Sequence, residues 1–268
     1  MSGSVATQEQ KAAAFRALHE GEPFIIPNPW DAGSAKVLAG LGFKALATTS
    51  GGFAFTLGRM DGDVTLEEVI GHTRVLAEAT DLPVSVDLEN GYGPDPEDAA
   101  RAVTAAAGAG AVGGSIEDWD PESGFYALGH AVERIAAARE AADRLGFSFT
   151  LTARAENFFR GNPDLDDTIA RLQVYEAAGA DVLYAPTLSS ADQIRAVCEA
   201  TSKPVNVLAR PQLSMSEIAE AGARRVSVGS WLTMVAADAL AETAKQMRDS
   251  GDFSSLRAPR EISAWLRG

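Results

Sequence analysis

Short apolar, β-branched runs recur along the chain at residues 24–27, 45–49, 84–88, 111–116, 148–153, 182–185, 205–208 and 225–228. Between them lie Ala-rich stretches at 35–41, 66–79, 96–107, 132–145, 166–178, 191–200, 216–221 and 232–248 with amphipathic spacing. The first pattern predicts strands buried on both faces, and the second predicts helices with one apolar stripe. Eight strand signals alternating with helix signals predict a parallel sheet with crossover helices. At this number and length the sheet closes, so the expected architecture is an α/β fold, a (β/α)8 TIM barrel. An open doubly wound sheet is the competing architecture, but no glycine fingerprint follows the first strand. The joints Gly108-Ala109, Gly179-Ala180 and Gly222-Ala223 read as helix stops that feed the next strand.

Two segments lie outside this alternation. Residues 8–19 form an amphipathic helix, with Phe15 and Leu18 on one face, placed to plug a barrel end. The tail, residues 249–268, carries Phe253, Leu256, Ile262, Trp265 and Leu266, more apolar side chains than a free terminus needs. It caps this barrel or, preferentially, packs as a helical tail on a neighbouring subunit, which implies a homo-oligomer, dimer or tetramer. No Pro/Ser-rich linker divides the chain, so residues 1–268 read as one domain.

Charge narrows the partners. A formal net charge of −14 over 268 residues disfavours nucleic acid and anionic membrane surfaces. The Ala/Gly stretch from Ala102 to Ile116 is too weakly apolar to span a bilayer. The single cysteine, Cys198, excludes an internal disulfide and sits on a helix as a packed core thiol. The N-terminus lacks an apolar signal core. The expected location is the cytoplasm. His19 and His72 read as surface residues of helices.

In a barrel the chemistry gathers at the C-terminal ends of the strands. Those positions hold Asn28-Pro29-Trp30-Asp31, Ser50-Gly51-Gly52, Asp87 with Glu89, Glu117-Asp118, Arg154 with Glu156, Asn206, and Gly229-Ser230. Side chains two apart on a strand share a face, so Asp87 and Glu89 project together. Their mutual repulsion calls for a positive group between them, and Glu117 converges as a third acid. A hard divalent cation with oxygen ligands answers that need; magnesium suits it, with manganese as the variant. No histidine or thiol cluster offers a zinc site. Ser50, Gly51 and Gly52 present backbone N–H groups to an anion. Arg154 ends an apolar strand and is ready for a bidentate carboxylate or phosphate contact, or for an ion pair with Glu156 or Glu117. Phosphate recognition at Gly229-Ser230 ranks low because the preceding loop lacks glycine.

In order, these segments resemble the isocitrate lyase/phosphoenolpyruvate mutase superfamily. The resemblance rests on Asn-Pro-Trp-Asp-Ala-Gly-Ser-Ala at 28–35, Thr49-Ser50-Gly51-Gly52, Gly58-Arg59-Met60-Asp61-Gly62, and Asp87-Leu88-Glu89-Asn90-Gly91-Tyr92-Gly93. Ile116-Glu117-Asp118, Thr152-Ala153-Arg154 and Val205-Asn206-Val207 complete it. The resemblance implies that Asp87 binds magnesium directly, with Glu89 and Glu117 holding its waters. Ser50, Gly51 and Gly52 would cradle the substrate carboxylate, with Asn206 in the binding wall. Arg154 would neutralise an oxyanion, and Asp61 would stand near the reacting carbon. The implied activity is a magnesium-dependent lyase or decarboxylase acting on an oxaloacetate-like 2-oxo carboxylate through an enolate. Phosphonopyruvate or phosphoenolpyruvate mutase or hydrolase chemistry is the alternative. A barrel that binds metal and acid without turnover is the alternative of another class.

The chain departs from the lyase pattern after Glu117-Asp118. Lyases carry Lys-Lys-Cys-Gly-His there; this chain has Trp119-Asp120-Pro121-Glu122-Ser123-Gly124-Phe125-Tyr126. It also has Tyr184-Ala185-Pro186 where lyases place a glutamate. Both make isocitrate-type cleavage improbable and leave Tyr126 or Asp61 as proton donors.

Overall fold

The computed structural model describes residues 6–256 and 261–267. In chain order its elements are α1 (Gln8–Glu20), β1 (Phe24–Ile26), α2 (Ala32–Gly40), β2 (Leu46–Ala47), α3 (Ser50–Thr56), α4 (Leu66–Ala79) and β3 (Val84–Asp87). They continue with α5 (Pro96–Gly108), β4 (Gly113–Glu117), β5 (Trp119–Asp120), β6 (Gly124–Phe125), α6 (Leu128–Asp143), β7 (Thr150–Arg154) and α7 (Leu165–Ala177). The last are β8 (Val182–Tyr184), α8 (Ala191–Ala200), β9 (Val205–Leu208), α9 (Met215–Glu220), β10 (Arg225–Ser227), α10 (Trp231–Ser250) and α11 (Ile262–Arg267). Eight strands form one sheet in the order β1-β10-β9-β8-β7-β4-β3-β2, and its paired neighbours run parallel. The short β5–β6 hairpin is antiparallel and separate.

The seam between β1 and β2 makes this sheet a nearly closed barrel. The Ala47 N–H donates to Pro27 O at 3.1 Å. Asn28, buried, reinforces the seam in both directions. Its Nδ2 donates to Thr48 O at 2.9 Å, and its Oδ1 accepts from the Val228 N–H at 2.9 Å. One side chain therefore ties the end of β1 to both neighbours, as the full pairing of buried polar atoms requires.

Alternation along the strands sorts the residues into two populations. Outward positions such as Ile116, Leu151, Leu183, Val205, Val207 and Val226 meet Val103, Ile135, Leu172, Ile194 and Ile218 of the surrounding helices in the main apolar core. The inward positions Ser85, Ser115, Tyr184, Asn206, Arg225 and Ser227 line a central cavity. Barrel interiors are ordinarily filled by bulky branched side chains. This one is polar along most of its shaft, and the apolar runs in the sequence belong to its outer face.

Helix α1 closes the N-terminal end of the barrel as expected. Thr7 caps it in a reciprocal capping box with Gln10. Phe15 is buried against Phe24, Ile26, Ala45 and Val112. His19 follows one turn later and is buried rather than on the surface, edge-on to Phe15 and Phe24. His72 is likewise buried, stacked on Phe53 with ring centroids 4.0 Å apart and Nε2 3.0 Å from Trp30 O. An imidazole buries readily when a backbone carbonyl satisfies it, and helical periodicity does not report that partner.

Cys198 lies on α8 against the core, and burial pushes its thiol up to about 11. Gly179 and Gly222 hold the left-handed turns (φ 104° and 103°) that end α7 and α9. In the tail, α10 ends at Gly251 (φ 66°), and α11 lies on α2 of the same chain, with Trp265 over Gly40. Residues 257–260 and 268 of the tail fall outside the described residues.

Candidate active site

The sequence places polar groups at the strand ends, and closure of the barrel turns those ends toward one another. A cavity of about 310 Å³ opens there, lined among others by Asn28, Thr49, Ser50, Asp61, Asp87, Arg154, Tyr184, Asn206, Arg210 and Trp231. Of the residues singled out in the sequence, Asn28, Ser50, Asp61, Asp87, Arg154, Asn206, Gly229 and Ser230 share this cavity, and Gly51 and Gly52 are outside its lining. Glu89 and Glu117 stand behind its wall.

Arg154, the last residue of β7, is the hub. Its Nη1 lies 3.4 Å from Asp87 Oδ1 and 3.3 Å from Glu117 Oε2, and its Nε donates to Glu156 Oε1. Burial alone would favour the neutral guanidine, but Glu156, Glu117 and Asp87 hold Arg154 firmly protonated. Arg160, in the loop after β7, pairs with Glu117 Oε1 and Glu156 Oε2 at 3.3 Å each and lies over the Trp119 ring. Asp118 anchors this arrangement from behind. Its Oδ1 accepts from the Glu156 N–H at 2.9 Å, while its Oδ2 accepts from Tyr175 Oη at 2.6 Å and Arg171 Nη1 at 3.1 Å.

Asp87 ends β3, but Glu89 does not continue the strand: its backbone is left-handed (φ 48°), as is that of Tyr92 (φ 61°). The two acids therefore approach through a turn rather than through strand alternation. The Glu89 N–H donates to Asp87 Oδ1 at 3.3 Å, and Tyr92 Oη donates to Glu89 Oε1 at 3.1 Å. Non-glycine residues in this region carry strain, which concentrates at functional sites.

Ser50, Gly51 and Gly52, expected to present backbone N–H groups to an anion, open helix α3 with Thr49 as its cap. The Ser50 hydroxyl donates to Asp87 Oδ2 at 3.1 Å, and the Gly52 N–H is spent on Thr49 Oγ1 at 3.3 Å. A side chain at Gly51 would press on the Asp61 carboxyl 3.3 Å away, so glycine here lets Asp61 fold over the helix start. Burial raises the Asp61 carboxyl, opposed by a hydrogen bond from Ser50 and assisted by Asp87.

Around Arg154 and Arg160 the carboxyl groups outnumber the cations. Asp61, Asp87, Glu89, Glu117 and Glu156 face Arg154 and Arg160, and Glu89 is pushed up to about 7 by burial and then by Asp87 and Asp61. Among the described residues no three His, Cys, Asp or Glu side chains close into a ready-made metal cage. Magnesium does not require one: it takes one or two carboxylates and fills its shell with water and substrate oxygens. The all-oxygen donor set fits that ion.

Of the two proton-donor alternatives, Tyr126 is turned away. Its hydroxyl meets Asn90 Nδ2 at 3.1 Å and Asp120 Oδ2 at 3.3 Å, outside the cavity lining. Asp61 lines the cavity. Arg160, Arg210 and Arg225 are not singled out in the sequence, and Tyr184 is read there only as a departure from the lyase pattern. Only the charge of Arg160, four residues after Glu156, signalled a role, because the others depend on which strands become neighbours.

Comparison with known proteins agrees with this geometry. The family model for phosphoenolpyruvate phosphomutase matches residues 15–248. Oxaloacetate decarboxylase of Bradyrhizobium sp. strain BTAi1 is 31% identical over 266 residues, 94% of this chain and 90% of that one. A crystal structure from Burkholderia cenocepacia J2315, provisionally described as a lyase/mutase, superposes with a TM-score of 0.94 at 50% identity over 97% of both chains. Phosphonopyruvate hydrolase, solved with oxalate and Mg2+, shares the fold at a TM-score of 0.85 and 22% identity, over 98% of this chain and 95% of that one. With the barrel, the acidic mouth and the family match in agreement, the chain belongs to the phosphoenolpyruvate mutase family, within the isocitrate lyase/phosphoenolpyruvate mutase superfamily.

Proposed function

We propose that the chain is a single-domain, magnesium-dependent enzyme that acts on a small 2-oxo carboxylate through an enolate-like intermediate, as a carbon–carbon lyase or decarboxylase of an oxaloacetate-like substrate. The observation that carries this reading is the Arg154 guanidinium held by Asp87, Glu117 and Glu156 at the mouth of a cavity that Asp61 and Asp87 also line. Asp87 would hold the ion, with Glu89 and Glu117 reaching it through water; manganese could replace magnesium. When bound, the ion supplies Lewis-acid stabilisation of charge developing on the 2-oxo oxygen.

The chain's own residues supply the rest. The start of α3 receives the substrate carboxylate through the Gly51 N–H beside Ser50, while the Gly52 N–H stays on its Thr49 cap, and Asn206 borders the carboxylate. Arg154, already protonated and held in place, faces the developing oxyanion without reorganising. In decarboxylation the bond to the departing carboxylate breaks, CO2 leaves, and its electron pair passes into the enolate. The raised carboxyl of Asp61 then delivers a proton to the carbanionic carbon and is recharged from solvent.

A second reading, mutase or hydrolase chemistry on phosphoenolpyruvate or phosphonopyruvate, draws support from the family match. A panel of 2-oxo acids and phosphonopyruvate, assayed with and without magnesium, separates them by product: pyruvate plus CO2 or a carbon fragment, against phosphate or a rearranged phosphonate. Absence of any product, with oxalate bound only when magnesium is present, would sink both.

A homo-oligomer, dimer or tetramer, and a cytoplasmic setting belong to the same proposal. α10 exposes Trp231, Val235 and Leu240, and the tail exposes Phe253 and Leu256, an apolar surface suited to a second copy. The free thiol of Cys198 supports the reducing compartment. Light scattering on the eluted protein tests the assembly.

A further inference from the structure

The floor of the cavity, at the opposite strand ends from Asp87, holds a cation without a counter-charge among the described residues. Arg225 opens β10 and points into the barrel, where it lines the cavity together with Asn206 and Ser227. It is buried, and among the described residues it makes no ion pair. Its contacts are neutral. Nε donates to Asn206 Oδ1 at 2.9 Å, Nη2 donates to Thr152 Oγ1 at 3.0 Å, and Nη1 meets His19 Nε2 at 3.3 Å. His19 Nδ1 lies 2.8 Å from Phe15 O, which can only accept, so Nδ1 carries the proton and Nε2 accepts from Arg225. The titratable oxygen closest in effect is the Tyr184 phenol, itself pushed up to about 12 by burial and therefore uncharged at neutral pH.

A guanidinium has five N–H donors. Three are spent on Asn206, Thr152 and His19, leaving one on each terminal nitrogen without an acceptor. Burying a charge without a partner is costly, and proteins ordinarily pair it. Burial pulls Arg225 down to about 10, the signature of a cation that has lost water and gained no anion. Arg154, by contrast, is surrounded by carboxylates on the upper wall.

We infer that the cavity floor is a binding site for one small monoanion, a carboxylate or an ion of that size, seated on Arg225 with Asn206 and Ser227 at its side. The anion completes the charge that the fold leaves open. It has two sources: a free ion from solution, or the second carboxylate of a dicarboxylic substrate reaching down the shaft. The second source rests on the enzyme reading above; the site itself does not.

The test uses the full chain in EDTA, so it does not depend on magnesium or turnover. Formate is titrated at an ionic strength held constant with a bulky sulfonate salt, and thermal unfolding is followed. The wild type should show a saturable rise in Tm; Arg225→Gln should bind formate roughly tenfold or more weakly. Arg225→Lys should fall between them, because a point charge replaces a planar fork. Wild-type crystals soaked in bromide should show an anomalous peak on the Arg225 guanidinium. A formate response that is the same in Arg225→Gln, or a bromide map with no peak at the floor, overturns the inference. If Arg225→Gln does not fold, the wild-type bromide map decides alone. Formate that raises the KM for an oxaloacetate-like substrate assigns the site to the substrate's second carboxylate; an unchanged KM assigns it to a free ion.

Discussion

Arg154 Nη1 stands 3.4 Å from Asp87 Oδ1 across the mouth of the barrel, joining the end of β7 to the end of β3. The two residues are 67 positions apart in sequence. Their pairing makes the fixed cation of the site and its cavity-facing carboxylate one unit.

Arg154→Lys should lower kcat/KM by about two to three orders of magnitude, because one flexible ammonium cannot keep the bonds to Asp87, Glu117 and Glu156 while facing an oxyanion. Arg154→Met should in addition destabilise the fold by about 3–5 kcal/mol, since it strands Glu117 and Glu156 in the interior. Steady-state kinetics and urea unfolding check the two effects, and unchanged kinetic constants in the lysine variant would remove Arg154 from the chemistry.

Asp87→Asn should keep the fold and lose the rise in Tm that magnesium with oxalate gives the wild type. A ligand at 100 times its Kd stabilises by roughly 2.7 kcal/mol. Thermal melts with and without the ion read this directly; an equal response in both proteins would deny Asp87 its assigned part.

Asn28→Ala should cost about 1–3 kcal/mol, because Thr48 O and the Val228 N–H both lose their partner at the barrel seam. Urea titration should show the lower midpoint with an unaltered slope.

His19 gives a pH dependence whose sign is fixed. Burial and then Arg225 lower it from 6.5 to about 3 in the fold. The unfolded chain therefore binds the proton more readily. This contribution is fully present above pH 6.5 and is lost progressively as pH falls toward 3. The imidazole NMR signals of His19 should accordingly stay those of the neutral, Nδ1-protonated ring at pH 5. A ring that titrates near 6.5 would contradict the buried placement.

Gly40→Val should detach the tail, because any side chain at that position enters the space of the Trp265 indole. Limited proteolysis should then cut the residues after 256 faster than in the wild type, with little change in Tm. Equal cleavage rates would mean that α11 does not rest on α2.

The barrel itself is legible in the chain. Alternating apolar runs and amphipathic stretches are local patterns, and hydrogen bonding within a helix or between adjacent strands obeys local periodicity. Strand-end positions are legible for the same reason, and Ser50, Asp87, Arg154 and Asn206 all line one cavity; Asp61, which the family resemblance supplies, lines it too. The path of the chain past Asp87 is not legible. Strand alternation was expected to bring Glu89 beside it, whereas a left-handed turn does so.

What only the tertiary structure decided is which distant side chains meet. The placement of Arg225 at the cavity floor, the burial of His19 against it and the two-sided clasp of Asn28 arise from the order in which eight strands close. The same closure sets Glu117 and Glu89 behind the wall that Asp87 faces. Periodicity specifies which face of an element is apolar, but not the residue brought opposite it by a strand dozens of positions away; that follows from register and closure, which only the assembled barrel contains.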